Sequence, residues 1–310
     1  MTEGGRWRDV TLYGVDHSPW VQGVRLALAH HKIPTRLTSY PLRLSWFLRR
    51  GLVFPALELA DGTCHADSFR MYALLEDGGY PMGWQELDPA QRDEAQYELE
   101  RLFFAYALGR CMPGKRRRFM KAWSRMQEEP VTALGVVWRA LLASYFWVLI
   151  HVGRGALRGA GRDPYDLGRV QHRLAYWDAR LAKQPWLTGE HPGFLDFALW
   201  GHVQSMASGL TDEVLPLIER QAHLMRWLGA LTAMSEAGSP RYIDRLLGGD
   251  PQVDQASGRE RALFWLALAG WWICWPVTTA LILYGFAIRS LNPGRSGALM
   301  ERVAAAGSRT

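Results

Sequence analysis

One stretch near the end of the chain carries no charge over 26 consecutive residues, 263–288. As a helix rising about 1.5 Å per residue it would be roughly 39 Å long, enough to cross a bilayer core of about 30 Å. Arginines flank both ends, and tryptophans crowd the first half, as in an aromatic belt at a membrane interface. Buried helices of soluble proteins seldom run beyond about 20 residues without a polar stripe. We therefore predict a transmembrane helix over residues 262–289.

The position of this run predicts the organisation of the rest of the chain. It is preceded by 262 residues and followed by 22, so we expect a single-pass membrane protein with its N-terminal domains in the cytoplasm. Residues 248–260 are polar and contain glycine and proline, which is typical of a flexible tether, and residues 290–310 form a short polar tail. The helical patterns close before the tether, so the preceding domains are expected to fold without the anchor.

The cysteines and histidines indicate no metal site. The three cysteines are Cys64, Cys111 and Cys274, widely spaced and odd in number, so they form neither a disulfide framework nor a metal-ligand motif. The nine histidines show no HExxH or HxxxH spacing. This usage fits a reducing compartment, and we expect no metal.

A cluster of basic residues accounts for part of the net charge of +6. We call it the basic patch, and its members are Lys115, Arg116, Arg117, Arg118, Lys121 and Arg125. No acidic residue lies among them, and no nucleic-acid-binding module surrounds them, so nucleic acid is not an expected partner. Anionic lipid headgroups would attract such residues by about 1 kcal/mol each near a membrane surface. A solvated helix face remains the open alternative.

The first 80 residues show an α/β pattern. Strands are predicted at residues 10–15, 36–39 and 57–59, and helices after a Ser18-Pro19 turn and after Asp67-Ser68. His17 in the first turn is interpreted as an exposed turn residue. Alternating strands and helices of this kind predict a layered α/β domain.

Three segments of this domain resemble the glutathione S-transferase superfamily, whose first domain is thioredoxin-like. They are LYGVDHSPWVQGVRLALAHHKIP at residues 12–34, VFPAL at residues 53–57 and the Asp67-Ser68 pair. They occur in the family's order and at about its spacing. The resemblance implies a thioredoxin-like glutathione-binding domain over residues 1–80. It departs from the dithiol members, because Ser18 and Val21 replace the CxxC pair.

The resemblance also implies roles for five residues. Ser18, at a helix N-terminus, would donate a hydrogen bond to the sulfur of glutathione and hold it as the thiolate, the nucleophilic form. Phe54, before a cis Pro55, would pair with the cysteinyl backbone. Ser68 would receive the γ-glutamyl carboxylate, and Asp67 the ammonium group. For Ser18 and for the Asp67-Ser68 pair, simple helix capping remains the open alternative.

The following part of the chain, residues 86–247, is predicted to be all-helical. Residues 172–203 resemble two helices and a turn of the all-α glutathione transferase C-terminal domain, with Gly193 at a helix cap and Asp196 three residues on, where half of a capping box survives. Asp196 is therefore interpreted as structural. GRDPYDLGR at residues 161–169 also resembles the metaxin and failed-axon-connections branch of the superfamily, several members of which work at membranes.

A second apolar stretch lies inside this domain. Residues 131–152 contain a single charge, Arg139, and their length alone allows a membrane span. We interpret them as a long central helix buried in the domain, because a helix that is apolar on all sides is buried; contact with the membrane stays open. In the family this region lines the pocket for the hydrophobic co-substrate, which implies that role for Trp138, Tyr145 and Trp147.

Two functions follow from this reading. The first is a membrane-anchored, glutathione transferase-like enzyme that conjugates or reduces hydrophobic substrates with glutathione as co-substrate. The second is a non-catalytic scaffold of the same fold, or an accessory subunit of a membrane protein complex. The expected partners are membrane lipid and, in the second case, other membrane subunits; a homodimer also remains open.

Overall fold

The computed structural model describes residues 6–39, 54–107, 116–122, 132–159, 161, 163, 165–234, 242–249 and 255–274. The predicted transmembrane run is therefore described only as far as Cys274. Its second half and the predicted tail at residues 290–310 lie outside the described residues.

The N-terminal part contains a four-stranded sheet in the order β2-β1-β3-β4. Its strands are β1 (Val10–Tyr13), β2 (Thr35–Thr38), β3 (Ala56–Glu58) and β4 (Cys64–Ala66). β1 and β2 are parallel, whereas β3 is antiparallel to both β1 and β4. The sequence patterns predicted the first three strands and missed β4. Asp61-Gly62, between β3 and β4, is a turn signal typical of a hairpin.

The described residues of this domain also form two helices, α1 (Pro19–His30) and α2 (Ser68–Asp77). Both begin at the predicted turns, because Ser18 and Asp67 cap them with side-chain oxygens. The strand–helix–strand–strand–strand–helix order forms a thioredoxin-like domain, as predicted.

The remaining part of the described chain is helical, also as predicted. Its α-helices are α3 (Pro89–Ala107), α4 (Arg116–Ala122), α5 (Ala133–Gly159), α6 (Leu167–Leu181), α7 (Phe194–Met206), α8 (Leu215–Glu219), α9 (Ala222–Ala233) and α10 (Gly258–Ile273). Short 3-10 helices cover Asp212–Val214 and Tyr242–Leu246.

The two domains meet where α1 crosses α7, whose residues are all buried. Gly201 of α7 and Gly23 of α1 face each other at the crossing. A β-carbon at Gly201 would overlap the Pro19 carbonyl oxygen and the backbone of Gly23, and one at Gly23 would overlap the Phe197 carbonyl oxygen. Both positions therefore require glycine, since only a missing side chain lets the two backbones approach this closely.

Asp196 fixes the start of α7 from a fully buried position. Its carboxylate accepts hydrogen bonds from the backbone N–H groups of Gly193 and Leu187, each at 3.0 Å. It accepts two more, from Trp227 Nε1 at 2.7 Å and Thr188 Oγ1 at 3.2 Å. Burial raises the pKa of Asp196 to about 6, while all four hydrogen bonds favour the carboxylate and oppose that rise. The side chain thus joins α7, the preceding turn and α9.

The glycine at the cap of α7 has a steric reason. A β-carbon at Gly193 would overlap Thr188 Oγ1 and the Met82 carbonyl oxygen. Thr188, in the preceding turn, therefore occupies the space that a capping side chain would need, and its hydroxyl donates to Asp196 Oδ2 at 3.2 Å. The Gly193 N–H to Asp196 bond confirms that half of the capping box is present.

A second buried cluster joins α4, α5 and α10. Phe119, Leu142, Trp147, Phe264 and Leu268 all belong to it. The first half of the predicted transmembrane run, α10, therefore packs against the C-terminal domain. This corrects the expectation that the domains close before the anchor, because a chain ending before Gly258 would lose part of this core.

The predicted tether is also shorter than expected. α10 begins at Gly258, inside the segment 248–260, because Ser257 and Glu260 form a capping box. The Glu260 N–H donates to Ser257 Oγ at 3.3 Å, and the Ser257 N–H donates to Glu260 Oε2 at 2.8 Å. Ser-x-x-Glu ahead of an apolar run is a readable helix-start signal that the composition of the segment masked.

The central helix α5 is only partly buried, which corrects the expectation of a fully buried helix. One face carries buried residues such as Leu142 and Ala143, while Leu134, Val137 and Leu141 on the other face are exposed. Within the described part of the chain, one helical stretch, Ala133–Gly155, is long and apolar enough to cross a membrane. Of the most apolar window in that stretch, 33% is buried.

We predict that Gly201→Ala destabilises the protein by about 2–3 kcal/mol, since the added methyl group has to push two helix backbones apart. Urea denaturation followed by circular dichroism measures this free energy. Gly229→Ala in α9 is the matched control, because no atom lies within 4 Å of the place that its added methyl group would occupy. There the higher helix propensity of alanine should leave stability unchanged or raise it by about 1 kcal/mol. Equal effects of the two substitutions would contradict the close crossing.

Asp196→Ala is expected to cost about 3–5 kcal/mol, because it leaves buried donors without an acceptor. Asp88→Ala provides the comparison. Asp88 is an exposed residue whose side chain accepts one backbone hydrogen bond, from Gln91, at the start of α3, so its loss should cost about 1 kcal/mol. The same denaturation experiment measures both, and a cost for Asp196→Ala no larger than that of Asp88→Ala would count against its role as a junction.

Candidate functional site

The strand register brings the three family-like motifs to one edge of the sheet. Tyr13 of β1 pairs with Ala56 of β3, and Ala56 pairs with Ala66 of β4. Because β3 is antiparallel to both neighbours, the chain after Tyr13, before Ala56 and after Ala66 leaves the sheet at the same edge. These segments contain, in turn, Ser18, Phe54-Pro55 and Asp67-Ser68.

Ser18 lies at the N-terminus of α1 and is 6% exposed. Its backbone is extended, and its Oγ accepts a long hydrogen bond of 3.4 Å from the Val21 N–H. A serine hydroxyl has one proton to donate and two lone pairs to accept with. The capping bond uses only a lone pair, so capping and donation to a bound sulfur are compatible at this residue.

A second hydroxyl at the end of β1, that of Tyr13, already donates a hydrogen bond within the protein. It donates to Glu58 Oε2 at 2.6 Å. Burial, followed by this bond to Glu58, raises the pKa of Tyr13 above its usual value. Tyr13 therefore stays protonated and engaged, and it is not a competing donor for a ligand at this edge.

The turn before α1 is fixed from both domains. Ser205 Oγ of α7 donates to the His17 carbonyl oxygen at 2.7 Å, and the His17 ring lies 4.9 Å from the Tyr242 ring. Gln22 Nε2 donates to the Asp16 carbonyl oxygen at 2.7 Å. His17 is buried, so its interpretation as an exposed turn residue was wrong. The second domain covers it, which no local pattern indicates.

An ion pair lies beneath this turn. The Asp16 carboxylate is 3.5 Å from Arg25 Nη1, and both side chains are buried. Arg25 is the arginine of the Val-Arg pair in the family-like segment. The Arg25 guanidinium therefore pairs within the domain, and this ion pair connects the turn before α1 to the middle of that helix.

The peptide bond between Phe54 and Pro55 is cis, as the resemblance implied. Phe54 is half-buried and packs against two buried clusters, one that contains Val15 and one formed by Tyr13 and Ala56. It therefore lies between the end of β1 and the start of β3, at the edge that also carries Ser18.

Asp67 and Ser68 begin α2. Asp67 Oδ1 accepts a hydrogen bond of 2.9 Å from the Phe69 N–H. Asp67 has a φ of +83°, in a region that residues other than glycine rarely adopt. Such backbone strain is concentrated at binding sites. Ser68 is 5% exposed. The capping role of Asp67 is therefore present, and one of its carboxylate oxygens is engaged by it.

The three aromatic residues assigned to a co-substrate pocket make different contacts. Trp138 Nε1 donates to the Ser39 carbonyl oxygen at 2.7 Å, and Ser39 follows Thr38, which pairs with Tyr13. Trp138 therefore lies near the candidate edge. Trp147 is instead buried between Phe119 and Phe264, in the second core cluster.

Tyr145 likewise contacts the last helix. Its ring lies 5.6 Å from that of Trp271 in α10. Sequence reasoning could not separate these positions, because all of them lie on one apolar helix and the fold decides which helix each of them meets.

Part of the basic patch is engaged within the protein. Arg118 Nη1 lies 3.0 Å from Asp212 Oδ2, and Lys121 Nζ lies 2.7 Å from Glu260 Oε1. This corrects the expectation of a patch without acidic partners, which are distant in sequence. Arg116 lies over the rings of Trp147 and Trp265, 5.7 Å and 5.4 Å from their centroids. Lys115 and Arg125 lie outside the described residues.

No metal centre is visible in the part of the chain that the structure describes, since no group of three His, Cys, Asp or Glu side chains is placed to hold an ion there. The candidate site thus consists of hydroxyl groups, a carboxylate and backbone polar groups at one sheet edge. Such a set can bind a peptide-like ligand with charged ends by hydrogen bonds.

Comparison with known proteins matches part of the helical domain to a family. Residues 166–230 match the family described as glutathione S-transferase, C-terminal domain. They cover α6, α7 and most of α9, with the Asp196 junction in the middle. None of the curated protein sequences compared with this chain matches it.

Solved glutathione S-transferase structures resemble the chain at low identity. One from Pseudomonas fluorescens is 19% identical, with 75% of this chain and 98% of that chain covered and a TM-score of 0.42. One from Methylobacterium radiotolerans, in complex with glutathione sulfonate, is 19% identical, with coverages of 80% and 100% and a TM-score of 0.44. Rice GST1, in complex with glutathione, is 18% identical, with coverages of 78% and 95% and a TM-score of 0.43.

The family match thus shows a resemblance to the glutathione S-transferase C-terminal domain over residues 166–230, which follow the domain with the four-stranded sheet.

Proposed function

We propose that this chain is a member of the glutathione S-transferase superfamily that binds glutathione at the edge of its sheet. The observation that carries the proposal is the register Tyr13–Ala56–Ala66, which gathers three motifs, far apart in sequence, at one place. Each motif offers a group suited to a different part of the tripeptide. Ser18 faces the sulfur, Phe54 the cysteinyl backbone, and Asp67 and Ser68 the γ-glutamyl end.

The chemistry follows from the position of Ser18 at the start of α1. A helix N-terminus favours negative charge, and a hydroxyl proton directed at sulfur lowers the free energy of the thiolate further. The thiolate would then attack an electrophilic, hydrophobic co-substrate or reduce a peroxide. Trp138, which joins α5 to the same edge, supplies apolar surface for that co-substrate.

We further propose that the protein is anchored in a membrane by residues 262–289, with its N-terminal domains on the cytoplasmic side. The apolar composition of the run and the flanking arginines support this. Arg116 and Arg117 of the basic patch would then lie near lipid headgroups. Similarity to the metaxin and failed-axon-connections branch fits a membrane-bound member of the superfamily.

One observation favours a non-catalytic alternative. Ser18 and Ser68 are both buried, and Trp147, assigned to the co-substrate pocket, is packed into a core cluster. A protein that keeps the fold as a membrane-bound scaffold, alone or as a subunit of a complex, has no need for an open site. Measurement of glutathione binding separates the two functions.

Ser18→Ala is predicted to raise the apparent thiol pKa of bound glutathione by roughly one to two units, the equivalent of one charge-assisted hydrogen bond of about 1.5–3 kcal/mol. Glutathione affinity should change little. Ser68→Ala should show the reverse, with weaker binding and an unchanged thiol pKa. Calorimetry on the full chain in detergent measures affinity, and thiolate absorbance against pH measures the pKa.

Ser257→Ala is the matched control for loss of a helix cap. Ser257 caps α10 as Ser18 caps α1, but it lies outside the candidate edge, so its removal should lower stability by about 1 kcal/mol and leave both glutathione readouts unchanged. If the wild-type chain binds no glutathione at millimolar concentration, the glutathione proposal fails and the scaffold is favoured.

A further inference from the structure

The central helix α5 exposes apolar side chains on one side, in a stripe that the buried Val148 interrupts. Leu134, Val137, Leu141 and Val152 lie on it, separated by 3, 4 and 11 residues, which places them on one face of a helix. Leu134 is 72% exposed. Arg139, the charge in the middle of the helix, is buried and therefore points away from this stripe.

α10 exposes a matching stripe. Trp265, Leu266, Trp272 and Ile273 are exposed, with Leu266 at 68% and Ile273 at 81%. The opposite side of the helix carries the buried residues Phe264 and Leu268. One face of α10 thus packs against protein, and the other presents large apolar side chains.

The two stripes belong to one packed unit. Trp271 Nε1 of α10 donates to Ser144 Oγ of α5 at 3.0 Å. Seven residues earlier on α10, Phe264 packs on Trp147, further along α5, with ring centroids 6.0 Å apart. The helices therefore run antiparallel, and we call their exposed residues together the α5–α10 face.

Charge is concentrated at one end of this face. Arg259, Glu260 and Arg261 open α10, and the antiparallel packing places them towards the C-terminal half of α5, which carries Arg154. Arg116 lies over the ring of Trp265 at the same end. Trp272 and Ile273 lie at the uncharged end. Apolar surface bordered by arginine and tryptophan matches the chemistry of a membrane interface.

We infer that the α5–α10 face lies against the acyl chains of a lipid bilayer, so that the protein is seated on the membrane by two helices. Exposed large apolar side chains on two neighbouring helices indicate an interaction site. The chain itself indicates that this site is a membrane, because the uncharged run that begins inside α10 continues to residue 288. The rest of it, residues 274–288, would rise only about 22 Å as a helix, short of a core of about 30 Å.

The run therefore needs α10 to cross a bilayer, and α10 is fixed to α5. If α10 enters the acyl region, the exposed face of α5 meets the same lipid. A flexible tether, by contrast, would leave α5 in water with its leucines exposed. The inference shares the proposed anchor but is independent of glutathione binding.

The test uses the full chain in phosphatidylcholine vesicles, with Cys64, Cys111 and Cys274 changed to serine. A single cysteine carrying an environment-sensitive fluorophore is introduced by Leu141→Cys or, as an independent second site, Val137→Cys. Ala280→Cys reports on the anchor. Phe104→Cys is the matched control, because Phe104 is also an exposed apolar residue, 54% accessible, on helix α3. Circular dichroism verifies that each variant is folded.

The expected result is quenching of the labels at 141 and 137 by brominated acyl chains, with protection from aqueous iodide, and the reverse at 104. Quenching of 141 and 137 by iodide would overturn the inference in favour of a solvated face. Protection from both quenchers would overturn it in favour of a protein cover, either a second copy or the end of the chain.

The label at 280 separates this result from the proposed anchor. Lipid quenching at 280 without quenching at 141 would agree with the proposed anchor but reject contact between the α5–α10 face and the acyl chains. Absence of lipid quenching at all three positions rejects both. Glutathione binding, measured on the same vesicles, tests the proposed glutathione site independently of the quenching results.

Discussion

The contact between α1 and α7 is the constraint on which the rest of the structure depends. Gly23 and Gly201 let the two helix backbones approach without side chains between them, and this holds the thioredoxin-like sheet at a fixed distance from the buried core of the helical domain. The same approach delivers Ser205 to the carbonyl oxygen of His17. The turn that carries Ser18 is consequently shaped by both domains, so a change in domain packing would alter the candidate site before any residue of the site itself changed.

Much of this arrangement could be predicted from local patterns, because local patterns determine helix starts and turns. Ser18 and Asp67 cap the helices that the sequence assigned to them, and the cis bond before Pro55 is where the resemblance put it. β4 was missed because its residues, Cys64, His65 and Ala66, are not the β-branched or aromatic types that favour strands. The acidic partners of the basic patch were missed for a different reason. Glu260 lies 139 residues after Lys121, and only tertiary packing decides which charges meet.

The apolar run near the end of the chain shows what hydropathy alone cannot predict. Composition measures how much apolar surface a helix has, but not how it is divided between neighbours. In α10, Phe264 and Leu268 serve a protein core while Leu266 and Ile273 remain exposed, although the four side chains are chemically alike. The run was therefore assigned to a free anchor, and α5 to a buried helix, when the structure gives both α5 and α10 one face in protein and one face exposed. A capping box at Ser257 was the sequence signal that α10 begins earlier than the run.

α5 connects the candidate site to the exposed surface. Trp138 of this helix reaches the end of β2 through Ser39, and Leu134 and Leu141, four residues before it and three after it, are exposed on the same side of the helix. If these leucines meet lipid, the sheet edge lies close to the bilayer. A hydrophobic co-substrate dissolved in the membrane would then need to pass only around α5 to reach Ser18, and it would never have to enter bulk water, where its concentration is lowest.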